Sequence, residues 1–394
     1  MSKTYDIRSE DFPYLDKDSI YLDSACQSLR PQPVIDALNN YYTQYNSCGE
    51  RVKYKWGQVV DDKVAKTRTA VLKYLKLRDK DYFVSFTLNT TYGINLILDQ
   101  IETDSIDKIM TSDIEHNSPF LASTSFSRRH NIPREVMRRD DDGTIDVAEY
   151  DFTGALVVLN TVSNIDGRRL ENVNQLIKTV HDAGGIVILD AAQGMTFGKD
   201  LLTKTQADAI CFSSHKMYGP SLGIMVVRRD LLPRINSTFI GGGMVDDVDG
   251  TESYVLSADS PNHAYTKFEP GLQAWGEIIA FGVAIEWLNR IEAHSQIDYL
   301  AQKLYDFLEN SPKIHLINQK PSPVMSFYHE TLDADTLAEA LSDNGIMARS
   351  GYFCCHYYLG QVKDYPPMLR LSLGLHNNEA DVDKLISSLE RVAK

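Results

Sequence analysis

The sequence predicts an α/β protein: a large domain with a mainly parallel sheet, and a smaller α+β domain in the C-terminal third. Three observations carry this expectation. Short apolar runs alternate with helical spacing through the middle of the chain, the pattern of a parallel sheet covered by helices on both faces. The character changes after about residue 283, where long helical stretches precede three strand-like runs. The chain has 394 residues, beyond the roughly 250–300 at which a single core stops growing.

The elements follow in order. Ala155–Leu159 (ALVVL) reads as a buried strand, and Leu170–Ala183 as a helix stopped by Gly184-Gly185. Ile186–Leu189 is the next strand and leads into Asp190; Ala209–Phe212 and Ile224–Val227 are two more. Phe281–Ala293 and Ile297–Asn310 read as helices. Strand-like runs then stand at Ile314–Ile317, Val324–Tyr328 and Leu369–Leu373, before a closing amphipathic helix over Glu379–Val392. The large domain is placed at residues 17–283, and the small domain at 1–16 together with 284–394.

Composition excludes several classes. The hydrophobic share is 43% and the charged share 24%, ordinary for a soluble globular enzyme. A net charge of −14 repels nucleic-acid backbones and anionic membranes, so neither is an expected partner. The first twenty residues are polar and acidic and lack the apolar core of a signal peptide, and no apolar run is long enough to span a membrane; the expected location is cytoplasmic. The five cysteines, Cys26, Cys48, Cys211, Cys354 and Cys355, form no CxxC pair, so neither a disulfide framework nor a zinc site is expected. Gly241-Gly242-Gly243 lacks GxGxxG spacing and reads as a loop, and no Walker A pattern is present.

The chemistry-bearing positions stand at strand ends. Lys216 follows the strand Ala209–Phe212 in Ser213-Ser214-His215-Lys216, before the turn Tyr218-Gly219-Pro220. It is either a solvated loop lysine or a lysine whose lowered pKa lets the neutral amine attack an aldehyde, with Ser213 and His215 beside a phosphate. Asp190 either caps the following helix or pairs with a protonated pyridine nitrogen, with Gln193 donating to a ring oxygen. Thr90-Thr91 precede a helical run and form either an ordinary cap or a phosphate cradle. His116 is either structural or stacked on a ring, where it could also move protons. Asn164 follows the strand Ala155–Leu159. Near the C-terminus, Arg349 offers a carboxylate fork in Arg349-Ser350-Gly351-Tyr352-Phe353-Cys354-Cys355, and one of the paired cysteines is a candidate nucleophile. Arg370 lies in a strand pattern, where a charge needs a partner such as a substrate carboxylate.

In order and spacing these positions resemble the class V aminotransferase family of fold-type I pyridoxal 5′-phosphate (PLP) enzymes, and within it the group II cysteine desulfurase and selenocysteine lyase branch. The resemblance runs from Tyr21-Leu22-Asp23-Ser24-Ala25 to the final helix. It implies the PLP-dependent transferase type I fold. It matches S-x-H-K to Ser213–Lys216, with Lys216 as the PLP lysine and Ser213 and His215 at the phosphate. D-x-A-Q matches Asp190–Gln193, and T-T-x-x-I-N matches Thr90–Asn95, with Thr91 at the phosphate. His116 would lie over the ring, Asn164 beside the substrate or ring oxygen, and Arg370 would clamp the substrate carboxylate. In R-T-G-x-x-C, Cys354 falls on the nucleophile, so L-cysteine would give alanine and a Cys354 persulfide, with Lys216 removing the α-proton. The partners so implied are an amino-acid substrate, a sulfur-acceptor protein and a second copy of the chain.

Three departures from the branch stand out. Tyr352-Phe353 replace two histidines, Cys355 occupies a position usually small, and Gly271-Leu272-Gln273-Ala274-Trp275 lacks the threonine that reaches a neighbouring subunit's phosphate. Two other readings remain open: a PLP-dependent C–S lyase or aminotransferase in which Cys354 is passive, and a non-catalytic scaffold of the same fold, which has no need of the Lys216, Asp190 and Arg370 set.

Overall fold

The computed structural model describes residues 6–50, 52–250, 253–257, 261–291 and 294–392. Residues 1–5 and 393–394 of the expected small domain, and residues 292–293 of the expected Phe281–Ala293 helix, lie outside the described residues.

Seven strands form the large sheet: β1 (Tyr82–Thr87), β2 (Lys108–Ser112), β3 (Arg134–Met137), β4 (Ala155–Asn160), β5 (Ile186–Asp190), β6 (Ala209–Ser213) and β7 (Gly223–Arg228). Their spatial order is β1-β7-β6-β5-β4-β2-β3. β7 runs antiparallel to both of its neighbours, β1 and β6; the pairs from β6 to β3 are parallel. The carboxyl ends of the parallel strands therefore gather along one edge, where ligands sit in open α/β sheets.

The sheet is buried on both faces. Val157 and Leu159 of β4 enter one core, while Leu156 and Val158 enter the other, as a two-residue side-chain period requires. Helices α1 (Gln32–Gln44) and α2 (Lys55–Tyr74) pack with α6 (Trp275–Arg290) on the first face. Helices α3 (Thr90–Gln100) and α4 (Asn117–His130) cover the second. Helix α5 (Val173–Asp182) buries Val173, Leu176, Ile177 and Val180, a single stripe at helical spacing, against the first face. It starts at Val173 rather than Leu170, because Leu170 donates its N–H to Thr161 in the preceding turn. Helix α6 starts six residues before the expected Phe281, since Trp275 through Ala280 are nearly all buried and lack the polar face that marks a helix in sequence.

The C-terminal part holds a second, antiparallel sheet of β8 (Ile314–Leu316), β9 (Val324–His329), β10 (Arg349–Gly351) and β11 (Met368–Ser372), in the order β8-β9-β11-β10. Helices α7 (His294–Glu309), α8 (Ala334–Ser342) and α9 (Glu379–Val392) pack on it. Ile20 and Leu22 belong to this core, because residues 20–21 pair with Ile346 and Met347. Residues 20–22 thus join the C-terminal core rather than that of the large sheet, and Asp23 bridges to Ser372.

One buried ion pair ties α2 to the large sheet. Arg68 meets Glu269 at 2.7 Å, and Glu269 also accepts from the Phe86 N–H at 2.7 Å. Arg68 donates to the Val84 carbonyl at 2.5 Å and stacks over Tyr265. Glu269→Ala leaves the guanidinium buried without its counter-charge, and is expected to cost about 3–5 kcal/mol in urea-unfolding free energy; a loss under about 1 kcal/mol would show that the pair is dispensable. Among the described residues no helix is long and apolar enough to cross a membrane, and no group of three or more His, Cys, Asp or Glu is placed to hold a metal.

Candidate active site

A cavity of about 300 Å³ opens at the carboxyl edge of the large sheet, where the C-terminal part closes over it. Every site residue expected from sequence borders it: Thr90, Thr91, His116, Asn164, Asp190, Gln193, Ser213, His215, Lys216, Arg349, Cys354 and Arg370. The sheet explains the convergence. Asn160 pairs with Asp190, so β4 and β5 end level, and Asp190 pairs with Cys211, so β6 runs two residues further to Ser213 along the same edge.

Lys216 ends a short 3-10 turn after β6. Its loop is held at both ends: Thr196 donates to the Lys216 carbonyl at 2.8 Å, and Ser28 to the His215 carbonyl at 2.9 Å. Tyr218 adopts φ 61°, and its hydroxyl accepts from the Leu375 N–H at 2.8 Å. Protein surrounds the Lys216 side chain while its surface faces the cavity. That confinement lowers its pKa, and Asp190 pulls partly the other way. Burial raises the Asp190 carboxyl; the Ala192 N–H, at 2.9 Å, and Lys216 oppose the rise. A carboxylate 5% exposed, facing the cavity with a cation as its counterpart, is the partner a buried protonated nitrogen requires.

The opposite wall suits an anion. Thr90 and Thr91 are the first two residues of α3 rather than the residues before it, and Asn89 caps the helix by accepting from Tyr92 N–H at 2.9 Å. Ser213 accepts from the Thr90 N–H at 2.9 Å and touches its hydroxyl at 2.6 Å. Gly223 permits this approach, since a Cβ there would stand 2.4 Å from the Asn89 nitrogen. Hydroxyls and a helix N-terminus together form a phosphate cradle.

His116 caps α4, its Nδ1 accepting from Ser118 N–H at 3.0 Å, which leaves the ring hydrogen on Nε2. The Ser118 hydroxyl links it to Thr91. Burial, with Lys216 and Arg370 adding, lowers His116 from 6.5 to about 3, and burial lowers His215 to about 4. Both rings are expected to stay neutral at pH 5 in histidine ¹⁵N NMR; an imidazolium signal from His116 at pH 6 would contradict this. The unfolded chain takes up these protons near 6.5 while the fold resists until far lower pH. Stability therefore falls as pH drops below about 6.5.

The Cys354 loop is strained and pinned. Gly351 has φ 112°, which glycine adopts freely, while Phe353 and Cys354 have φ of 50° and 57°, conformations that surrounding contacts must enforce. Asn117 N–H donates to the Cys354 carbonyl at 2.6 Å, and Asn164 Nδ2 to the Phe353 carbonyl at 2.8 Å. Cys355 turns the other way, is fully buried, and donates to the Glu115 carbonyl; burial pushes its thiol well up.

Arg370 is already engaged. It donates to the Asp23 carboxylate at 2.7 Å and the Asn164 carbonyl at 3.0 Å, and its buried Nε is without a partner. Arg349 Nη1 donates to the Cys26 sulfur at 2.6 Å and stands 3.9 Å from Asp23. Asp23, Cys26 and Ser118 were not singled out in the sequence as site residues. Asp23 and Cys26 are short side chains in a connection whose contact partners are far along the chain, and Ser118 lies in the first turn of α4, where it reads as an ordinary helix-start serine.

The arrangement fits PLP: an anion cradle, a buried carboxylate across from it, a confined amine, and orphaned polar atoms on Asn164 and Arg370 that await a ligand. Comparison with known proteins agrees. The family model for class-V aminotransferases matches residues 20–385. A protein of Haemophilus influenzae called "Probable cysteine desulfurase" is 28% identical, over 96% of this chain and 87% of its own length. A namesake from Pyrococcus abyssi is also 28% identical, over 99% and 97%. Among solved structures, the apo cysteine desulfurase of Thermococcus onnurineus superposes with a TM-score of 0.88 at 26% identity, covering 100% of this chain and 99% of that one. A cysteine desulfurase of Escherichia coli has a TM-score of 0.87 at 23% identity over 98% of this chain, which speaks to fold.

Proposed function

We propose, for a chain that belongs to the class-V aminotransferase family and is a PLP-dependent enzyme, that it cleaves the C–S bond of L-cysteine, giving alanine and a persulfide on Cys354. The observation that carries this reading is the placement of Cys354: a pinned loop presents it to the same cavity as Lys216, while Cys355 is buried away from it.

PLP, when bound, supplies an electron sink for the bonds around the substrate's α-carbon. The chain's own groups do the rest. Asp190 would hold a proton-bearing ring nitrogen by its charge, Gln193 would serve the ring oxygen, and Thr90, Thr91, Ser213 and His215 would take the phosphate. Neutral His116 borders the cofactor space and would lie over the ring without adding charge. Arg370 and Arg349 orient the substrate carboxylate, which competes with Asp23 for the two guanidinium groups. Lys216, its amine made neutral more readily by confinement, takes the α-proton. The Cys354 thiolate then bonds the substrate sulfur as the C–S bond breaks; that bond's electron pair stays with the carbon fragment, which takes one proton at Cβ and regains one at Cα to leave as alanine.

The reaction leaves sulfur on the enzyme, so an acceptor, most simply a protein thiol, must remove it. The chain acts as a homodimer in this reading. Leu88, beside the phosphate cradle, is 69% exposed, a large apolar side chain that a second copy of the chain would cover. Sedimentation at micromolar concentration tests this, with a monomer as the contrary result.

Product analysis tests the function. Alanine from L-cysteine supports it, whereas pyruvate made equally well by Cys354→Ala would replace it with a C–S lyase.

A further inference from the structure

We propose that Cys26 is a second sulfur-carrying residue of the site, taking the sulfane sulfur from Cys354 within the same protomer. The inference rests on the desulfurase reading above. Cys26 and Cys354 border one cavity. The Lys216 side chain borders the same cavity. The contact of Arg349 adds direction. Its Nη1 donates to the Cys26 sulfur at 2.6 Å, and its own chain leads through β10 into the Cys354 loop five residues on. Cys26 is thus oriented by the element that carries the other thiol.

The backbone at Cys26 is fixed as well. Its N–H donates to the Asp23 carbonyl at 3.0 Å, and the Ala25 N–H to Ser372 Oγ at 2.9 Å. The remaining cysteines offer no such route. Cys355 and Cys211 are buried, and Cys48 is exposed in the connection between α1 and α2, outside the cavity lining. A second feature of the wall points to a ligand. Asn164 is 5% exposed, holds the Phe353 carbonyl with Nδ2, and leaves its buried Oδ1 without a partner. That oxygen is an acceptor for an S–H group next to Cys354.

The step is thiol–persulfide exchange. Cys26 loses its proton to water, and its sulfur bonds the outer sulfur of the Cys354 persulfide. The S–S bond of Cys354 breaks, its electron pair remains on Cys354 as thiolate, and the outer sulfur keeps its hydrogen on Cys26. Nothing is oxidised or reduced overall, so no co-reactant is needed. Cys354 is freed for another cysteine before any acceptor arrives.

The holoenzyme, given excess L-cysteine without reductant, is quenched by alkylation and its peptides are mapped by mass spectrometry. Persulfide is expected on Cys354 first and on Cys26 after it, with an alanine burst of about two per protomer that falls to about one in Cys26→Ser. Persulfide on both residues should vanish in Cys354→Ser. Persulfide confined to Cys354 in the unaltered enzyme would overturn the relay and leave the desulfurase reading standing; absence of persulfide from Cys354 would overturn both.

Discussion

Lys216→Ala is expected to lower turnover of L-cysteine by at least about 10⁴-fold, the upper end of what a positioned acid–base group contributes. The loss is large because the amine combines two roles in one place. It is confined enough to be readily neutral and lies opposite Asp190. No neighbouring group replaces it, since His116 is held neutral but is already engaged through Nδ1 as the cap of α4. Borohydride treatment followed by peptide mapping should find PLP fixed to Lys216 in the unaltered enzyme and nowhere in the variant. The fold should persist, because Lys216 makes its structural contacts through its backbone, to Thr196. A variant that keeps a tenth of the turnover would remove Lys216 from the centre of the reaction.

Cys354→Ala carries the second large effect. Alanine formation is expected to fall roughly 10³-fold, about 4 kcal/mol of barrier, with PLP binding and its yellow absorbance intact. The neighbouring Cys355→Ala should behave differently. That thiol is buried and donates to the Glu115 carbonyl, so its removal costs on the order of 1 kcal/mol of stability while alanine formation continues. The contrast separates a nucleophile from a packing residue at adjacent positions.

Strands β4 to β7 were legible because they are almost wholly buried apolar runs, and Ala155–Asn160 and Ile186–Asp190 differ from the expected strands by one residue each. Strands β1, β2 and β3 carry polar residues such as Ser85, Lys108 and Arg134, and β3 is only partly buried at the sheet edge, so no apolar run announces them. The antiparallel direction of β7 left no such mark: a buried strand reads the same in either direction. The start of α6 was hidden for a related reason, since a helix sandwiched between two others loses its polar stripe.

The site was legible where chemistry follows a strand end, as at Asp190 and Lys216. It was not legible where function depends on pairs made by tertiary folding. Asp23 and Arg370 are 347 residues apart, and Cys26 and Arg349 are 323 apart. Nothing local in either loop announces its partner. Nor does the sequence show that the Cys354 loop takes up left-handed backbone at non-glycine residues. That conformation is imposed from outside, by Asn117 and Asn164.

The reaction itself is tested most directly by supplying the PLP-loaded enzyme with ³⁵S-labelled L-cysteine in the absence of reductant, then locating the label and identifying the carbon product. Alanine is expected, with label attached to Cys354 in the unaltered enzyme and absent from the Cys354→Ala protein. Pyruvate and free sulfide in place of alanine, with Cys354 unlabelled, would contradict it.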